Sequence, residues 1–367
     1  MSVIIFFIIL LVLVLVHEFG HFFTAKKFGI RVDEFGFGFP PKLFGKKYGE
    51  TEYSLNLLPL GGFVKIFGEN PDDENTNGPD SSRSFVNKPR WQQAIVLFAG
   101  VFANFILAWF LFSFGFMSGL PTSVGSEPKG YELQNVYTVI VSVAPNSPAL
   151  NAGLKSGDKI VSIKNNQGST TYISTETVKS FIVSSPEKEI EIGYIRGKND
   201  NNINLIKVKP TYKEAGKDPI IGINMDQIGT AKLPVLLAFK EGMKLTLYVT
   251  KGTAMGLFGL IYDGIRGQGS LASVTGPVGL VGIVGEAYDF GFSYLMSFTA
   301  LISVNLAIIN LFPFPALDGG RLFFLLIEKI KGSRINPKVF NVANMIGFGI
   351  LILLMVFVTY HDIVKLF

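Results

Sequence analysis

Histidine, glutamate and histidine stand at positions 17, 18 and 21 of the chain, inside VLVLVHEFGHFFTAKKFG, residues 12–29. The surroundings are apolar from Val3 onward, so three ionisable groups sit where the sequence otherwise suits lipid. Residues four apart share one face of a helix, which lets the imidazoles of His17 and His21 reach a common metal ion. Neutral imidazole is a good zinc ligand, and the glutamate beside it can serve as general base on a zinc-bound water. The H-E-x-x-H pattern is short and arises by chance in many helices. Its place inside an apolar span gives it weight, because ionisable side chains there are costly and mark functional sites.

A catalytic zinc commonly takes three protein ligands and leaves a fourth position to water. The only other histidine, His361, lies at the far end of the last apolar span and reads as an interfacial residue. The third ligand is then a carboxylate, and Asp318 stands out in NLFPFPALDGGR, residues 310–321. Pro313 and Pro315 break a helix there, and Gly319 and Gly320 permit close backbone approach.

The elements that must position these groups follow from composition. Of 367 residues, 48% are hydrophobic and 17% charged, with a net charge of +5 and no cysteine. A mean hydropathy of +0.39, with the apolar residues in blocks, points to an integral membrane protein. Disulfides and thiolate metal sites are excluded, and no basic run interleaves with aromatics, so nucleic acid is not an expected partner. Four blocks reach the roughly 20 apolar residues that a bilayer requires: 3–23, 91–119, 294–312 and 339–360. The first is not read as a cleaved signal peptide, since no Lys or Arg precedes it and no small-residue cleavage site follows.

Short-loop Lys and Arg set the expected orientation. Lys26, Lys27 and Arg31 follow the first span, Lys88 and Arg90 precede the second, and Lys329, Lys331, Arg334 and Lys338 join the third to the fourth. These regions are expected in the cytosol, with both termini and segment 120–230 outside. His17 and His21 lie 14 and 18 residues into span one, roughly 21 to 27 Å along a helix, nearer the cytosolic face. Segment 120–230 carries strand-like runs such as VYTVIVSV and EIEIGYI between polar turns, which predicts a small, mainly β domain. Residues 234–291 read as an amphipathic, interfacial segment, and 70–87 as a flexible polar loop. The stretch TEYSLNLLPLGGFVKI, residues 51–66, reads as two short strands around Gly61 and Gly62.

HEFGH together with NLFPFPALDGGR, which carries N-x-x-P-x-P-x-x-D-G, resembles the two motifs of the site-2 protease family of intramembrane zinc metalloproteases, in its regulator-of-sigma-E branch. The resemblance extends over essentially the whole chain, including GFGFPPKLFG after the first span. It implies that His17, His21 and Asp318 bind Zn2+ and that Glu18 is the base. It further implies that Asn310, in a motif shared with Pro313 and Pro315, holds the substrate, and that 51–66 is a membrane re-entrant β-hairpin whose Gly61 and Gly62 region pairs with it. VAPNSPALNAGLKSGDKIVSI, residues 143–163, is similar to the core of a PDZ domain. The chain has room for one such domain, at about 130–213 with an extra strand near 220–224, where relatives often carry two.

The expected fold is therefore an α-helical polytopic membrane protein of about four transmembrane helices, with an inserted PDZ domain and a re-entrant β-hairpin. Its parts are membrane core 1–119, PDZ domain 130–213, interfacial segment 234–291 and membrane core 292–367. The implied function is hydrolysis of peptide bonds within or next to transmembrane segments, in regulated intramembrane proteolysis. Single-span membrane proteins, such as anti-sigma factors or remnant signal peptides, are the implied substrates, with the bilayer and a PDZ peptide or protein ligand as further partners. The implied location is a bacterial inner membrane, with the active site toward the cytosol and the PDZ domain outside. Two rivals use the same residues: a metal carrier, which does not need Glu18, and a catalytically silent PDZ scaffold, which does not need zinc.

Overall fold

The computed structural model describes residues 1–70, 73–197, 202–212, 218–268 and 275–364. The parts of the 130–213 and 234–291 readings at 198–201, 213 and 269–274 lie outside the described residues. Helix α1, Ser2–Lys27, runs uninterrupted because nothing in its first sixteen residues competes for the backbone. It ends where Gly29 takes a φ of 67° and the Gly29 and Ile30 amides donate to the carbonyls of Lys26 and Ala25, a Schellman closure.

Strands β1 (Val32–Tyr48) and β2 (Thr51–Ile66) follow as an antiparallel two-stranded sheet. Gly49, at a φ of 63°, makes the tight turn between Tyr48 and Thr51. Phe35 is registered against both Val64 and Tyr53, and Gly36 against both Phe63 and Ser54, so β1 lies between the two halves of β2. The sequence reading placed two short strands within 51–66 and none in 32–48, whose glycines and Pro40–Pro41 are poor strand formers; instead 51–66 is one strand, and the hairpin is made by β1 with β2. Pairing on both edges is what holds 32–48 extended. The base of this sheet joins one core with the end of α1 through Ala25, Ile30, Val32, Phe35, Val64 and Ile66.

Between β2 and the second long helix, α2 (Asp73–Asn77) and two 3₁₀ turns occupy the polar loop. Asn87 Nδ2 donates to the carbonyls of Thr76 and Ser81, and Phe85 is buried. The loop expected to be flexible thus carries internal ties of its own, with residues 71–72 outside the described set. Helix α3, Arg90–Ser118, follows.

A seven-stranded antiparallel sheet comes next, built from β3 (Leu120–Ser123), β4 (Gln134–Val143), β5 (Lys159–Asn165), β6 (Gly168–Thr170), β7 (Ile190–Ile195), β8 (Asn204–Val208) and β9 (Ile223–Ala231). Helices α4 (Pro148–Ala152) and α5 (Thr175–Val183) interrupt it. The order is β3-β9-β4-β5-β7-β8, with β6 beside β5. Ile160 and Ile163 are three apart, yet both are buried, because a bulge between Ile160 and Ser162 turns the strand. They pack with Ile140, Leu154, Ile190 and Ile192 under Val178 and Ile182 of α5. The extra strand expected near 220–224 is longer than anticipated, because β9 runs to Ala231 by pairing with both β4 and β3.

Helices α6 (Val235–Ile265), α7 (Pro277–Phe290), α8 (Phe292–Leu311), α9 (Asp318–Lys331) and α10 (Pro337–Val364) complete the chain. Among its described residues, segment 234–291 forms two helices, the first of them 31 residues long. Helices α1, α3, α8 and α10 are long and apolar enough to cross a membrane, which makes this an integral membrane protein with an inserted β-rich region. The contacts divide the chain into two units. One is 1–112 with 242–285 and 298–367; the other is 113–241 with 286–297.

Candidate active site

Three imidazole and carboxylate groups converge at the lower part of α1. His17 Nε2 and His21 Nε2 are 3.1 Å apart, and Asp318 Oδ2 lies 3.0 Å from the first and 3.3 Å from the second. Both histidines are buried. Helical spacing alone places them on one face. Asp318 arrives from the other end of the chain, in the first turn of α9.

That turn is built by the NLFPFPALDGG stretch. Proline ends α8 after Leu311, and the connection folds tightly, Phe314 N donating to the Phe312 carbonyl and Leu317 N to that of Phe314. A Cβ on Gly319 would come within 2.1 Å of the Leu311 carbonyl oxygen, and one on Gly320 within 2.1 Å of that of Phe314. Only glycine lets α9 start this close to the chain that leads into it. Asn344 of α10 accepts from the Ala316 amide and holds the connection from outside.

Helix α3 completes the setting. A Cβ on Gly20 would lie 2.3 Å from the Ala99 carbonyl oxygen and one on Gly100 2.2 Å from His21 Nε2, so α1 and α3 meet at van der Waals contact through two glycines. His21 Nδ1 donates to the Val96 carbonyl at 2.8 Å. That bond fixes the tautomer and leaves a lone pair on Nε2, as a metal-ligating histidine requires.

The geometry of the cluster suits a metal ion. The lone pair of His21 Nε2 faces Asp318 Oδ2, another acceptor, and Oδ2 is buried with no hydrogen-bond partner among the described residues. Oδ2 meets the distance of an ion pair to each imidazole without hydrogen-bond geometry to either. Acceptors facing one another are stable only around a cation or a proton. A tetrahedral ion with bonds of about 2.0–2.1 Å spaces its donors about 3.3 Å apart, and the three donors here are spaced at 3.0–3.3 Å. Two imidazoles and a carboxylate within this range fit zinc.

Glu18, one position round the helix, leaves the ligand face. Its Oε2 accepts from the Val64 amide of β2 at 3.0 Å. The strand reaches α1 because Gly61 and Gly62 lie against it: a Cβ on Gly61 would be 3.3 Å from Val14, and one on Gly62 3.0 Å from Leu15. A cavity of about 220 Å³ opens beside the cluster, lined by His17, Glu18 and Asp318 together with Asn104, Asn310 and Leu317. The structure thus brings His17, His21, Asp318, Glu18 and Asn310 to one place. Pro313 and Pro315 stand outside this cavity wall and shape the turn, and Gly61 and Gly62 also stand outside it, against α1. His361 lies near the end of α10 and has no part in the cluster. Val96, Gly100 and Asn104 were not singled out from sequence. The available signal was one asparagine in the middle of an apolar span.

The chain is similar over nearly its full length to known zinc metalloproteases. The model of peptidase family M50 matches residues 5–354. A Clostridium perfringens protein with a provisional zinc metalloprotease name is 37% identical over 96% of this chain and 95% of its own length. Zinc metalloprotease RasP of Geobacillus kaustophilus is 31% identical, covering all of this chain and 98% of the relative. The regulator of sigma-W protease RasP of Bacillus subtilis is likewise 31% identical, over 100% and 99%. The two RasP alignments, at 440 and 442 positions, run longer than this chain, so those proteins carry segments it lacks. The chain belongs to peptidase family M50 and is a zinc metalloprotease built into a membrane protein.

Proposed function

We propose that His17, His21 and Asp318 hold the zinc and that Glu18 is the general base for hydrolysis of peptide bonds in or beside transmembrane segments. Zinc in such a site polarises a carbonyl and lowers the pKa of water toward about 7. Glu18 takes the proton of the attacking water and returns it to the departing amine. The Val64 amide holds one oxygen of Glu18, which orients the carboxylate while the side chain still lines the cavity. Asn310 holds the substrate backbone from the cavity wall. The observation that carries this reading is the buried acceptor cluster with an anchored carboxylate beside it.

Strand β2, near Gly61 and Gly62, is the proposed clamp for substrate unwound to an extended form, since a strand edge binds main chain whatever the side chains. Exposed Phe39, Leu43, Phe44, Leu55 and Leu57 suit the far part of this sheet to lipid. The turn residues Pro313 and Pro315 support substrate binding by setting the course of the wall that carries Asn310. The segment 130–213 is proposed as a PDZ domain that admits membrane proteins already trimmed outside. Its β-sheet, with α4 capped by Ser147 and ended by Gly153 at a φ of 97°, is consistent with that fold. The substrates are proposed to be single-span proteins, including anti-sigma factors or remnant signal peptides. The setting is a bacterial inner membrane with the basic loops, and thus the active site, toward the cytosol.

The test is cleavage of a model single-span substrate by purified wild type and by Glu18→Gln, with zinc measured in both. Wild type should cleave, and the variant should keep its zinc while losing about 10²- to 10⁴-fold in rate. Equal function in both, with zinc bound, would point to a metal carrier, and function without zinc to a scaffold.

A further inference from the structure

The face of α3 that meets α1 carries three positions four residues apart, and each does something different at the site. Val96 accepts the hydrogen bond of His21, and Gly100 makes room for the His21 ring. Asn104, one turn further, lines the cavity with His17 and Glu18. Asn104 is 0% exposed, and neither its Oδ1 nor its Nδ2 has a hydrogen-bond partner among the described residues. A buried carboxamide with both ends unmet is destabilising and rare in a finished interior. Ser303 Oγ of α8 donates to the Asn104 carbonyl at 2.8 Å, tying α8 to this turn of α3. The side-chain amide itself is left uncommitted.

We propose that Asn104 is a catalytic residue whose Nδ2–H donates to the scissile carbonyl oxygen as negative charge develops on it. This rests on the reading of the site as a peptidase. As the oxygen of water bonds to the carbonyl carbon, its proton passes to Glu18 and the carbonyl π pair moves onto oxygen. The C=O then re-forms, the C–N bond breaks, and Glu18 returns the proton to the leaving nitrogen. A donor placed in advance where that charge appears lowers the barrier without strengthening substrate binding, and loss of one such donor typically costs about 10²- to 10³-fold in kcat. The second cavity amide, Asn310, is left to hold the flanking main chain.

The experiment compares wild type, Glu18→Gln, Asn104→Leu and Asn104→Gln on the same single-span substrate, reading kcat and KM separately with zinc content and Tm. Asn104→Leu should lose about 100-fold in kcat with KM within about twofold, zinc stoichiometry unchanged and Tm equal to or above wild type. Asn104→Gln, which keeps the donor on a longer arm, should recover part of the loss. A wild-type kcat in the Leu variant overturns the proposal. So does a rise in KM at constant kcat, or a loss that tracks departed zinc or a lowered Tm. If wild type itself, holding zinc, does not cleave while Asn104 variants are equally silent, the peptidase reading of the site fails first and this role falls with it.

Discussion

A buried carboxylate in the β unit and the polar groups around the proposed metal site in the membrane unit are handled in opposite ways. In the β unit, Asp158 is fully buried and has every need met: Arg196 donates to it twice, at 2.6 and 2.7 Å, and the Lys155 amide donates at 2.9 Å. In the membrane unit, His17 Nδ1, Asp318 Oδ2 and both ends of the Asn104 amide are buried without hydrogen-bond partners among the described residues. Each such group costs about 1–3 kcal/mol when nothing meets it. A carboxylate closed on its partners holds a loop, whereas a group left open in a buried place is arranged for something that arrives: an ion, a peptide or a charge that exists only in passing.

That contrast can be broken at several points. The largest effect should come from His17→Ala, which removes one of the three proposed ligands: bound zinc and proteolysis should both be lost, while Tm of the metal-free protein stays within a few degrees of the metal-free wild type. A steep fall in that Tm would make the cluster a structural one. Next is Gly100→Ala, whose methyl would stand 2.2 Å from His21 Nε2. Zinc affinity should fall about 10- to 100-fold by displacement of one imidazole, read by competition with a chelator. The smallest is Arg196→Ala in the β unit. It should cost about 1–3 kcal/mol in unfolding of that unit, tempered because the Arg196 side chain is 40% exposed, and leave zinc content untouched. Lost zinc in that variant would mean that the two units are not energetically separate.

Much of the membrane unit was legible because its signals are local. Four spans follow from apolar block length, and two histidines four apart need only the helical repeat to share a face. The β unit was legible as strands and turns, yet β9 and the bulge at Ile160 and Ser162 were not, since both depend on which strands become neighbours. Segment 32–48 was missed for the same reason: its glycines and prolines argue against a strand, and pairing with both halves of β2 overrides them. Asn104 and Gly100 looked like an isolated polar residue and an isolated small one until α3 was laid against α1.

By itself the sequence determined the spans, the shared face of His17 and His21, and the helix break ahead of Asp318. These rest on interactions over a few residues, which chain connectivity imposes. Only the tertiary structure decided that Asp318 reaches those imidazoles, that the Val96 carbonyl selects the tautomer of His21, that the Val64 amide holds Glu18, and that Asn104 faces the same cavity. Each of these joins groups far apart in the chain, and their meeting is set by which helices can pack closely, here through Gly20, Gly100, Gly319 and Gly320.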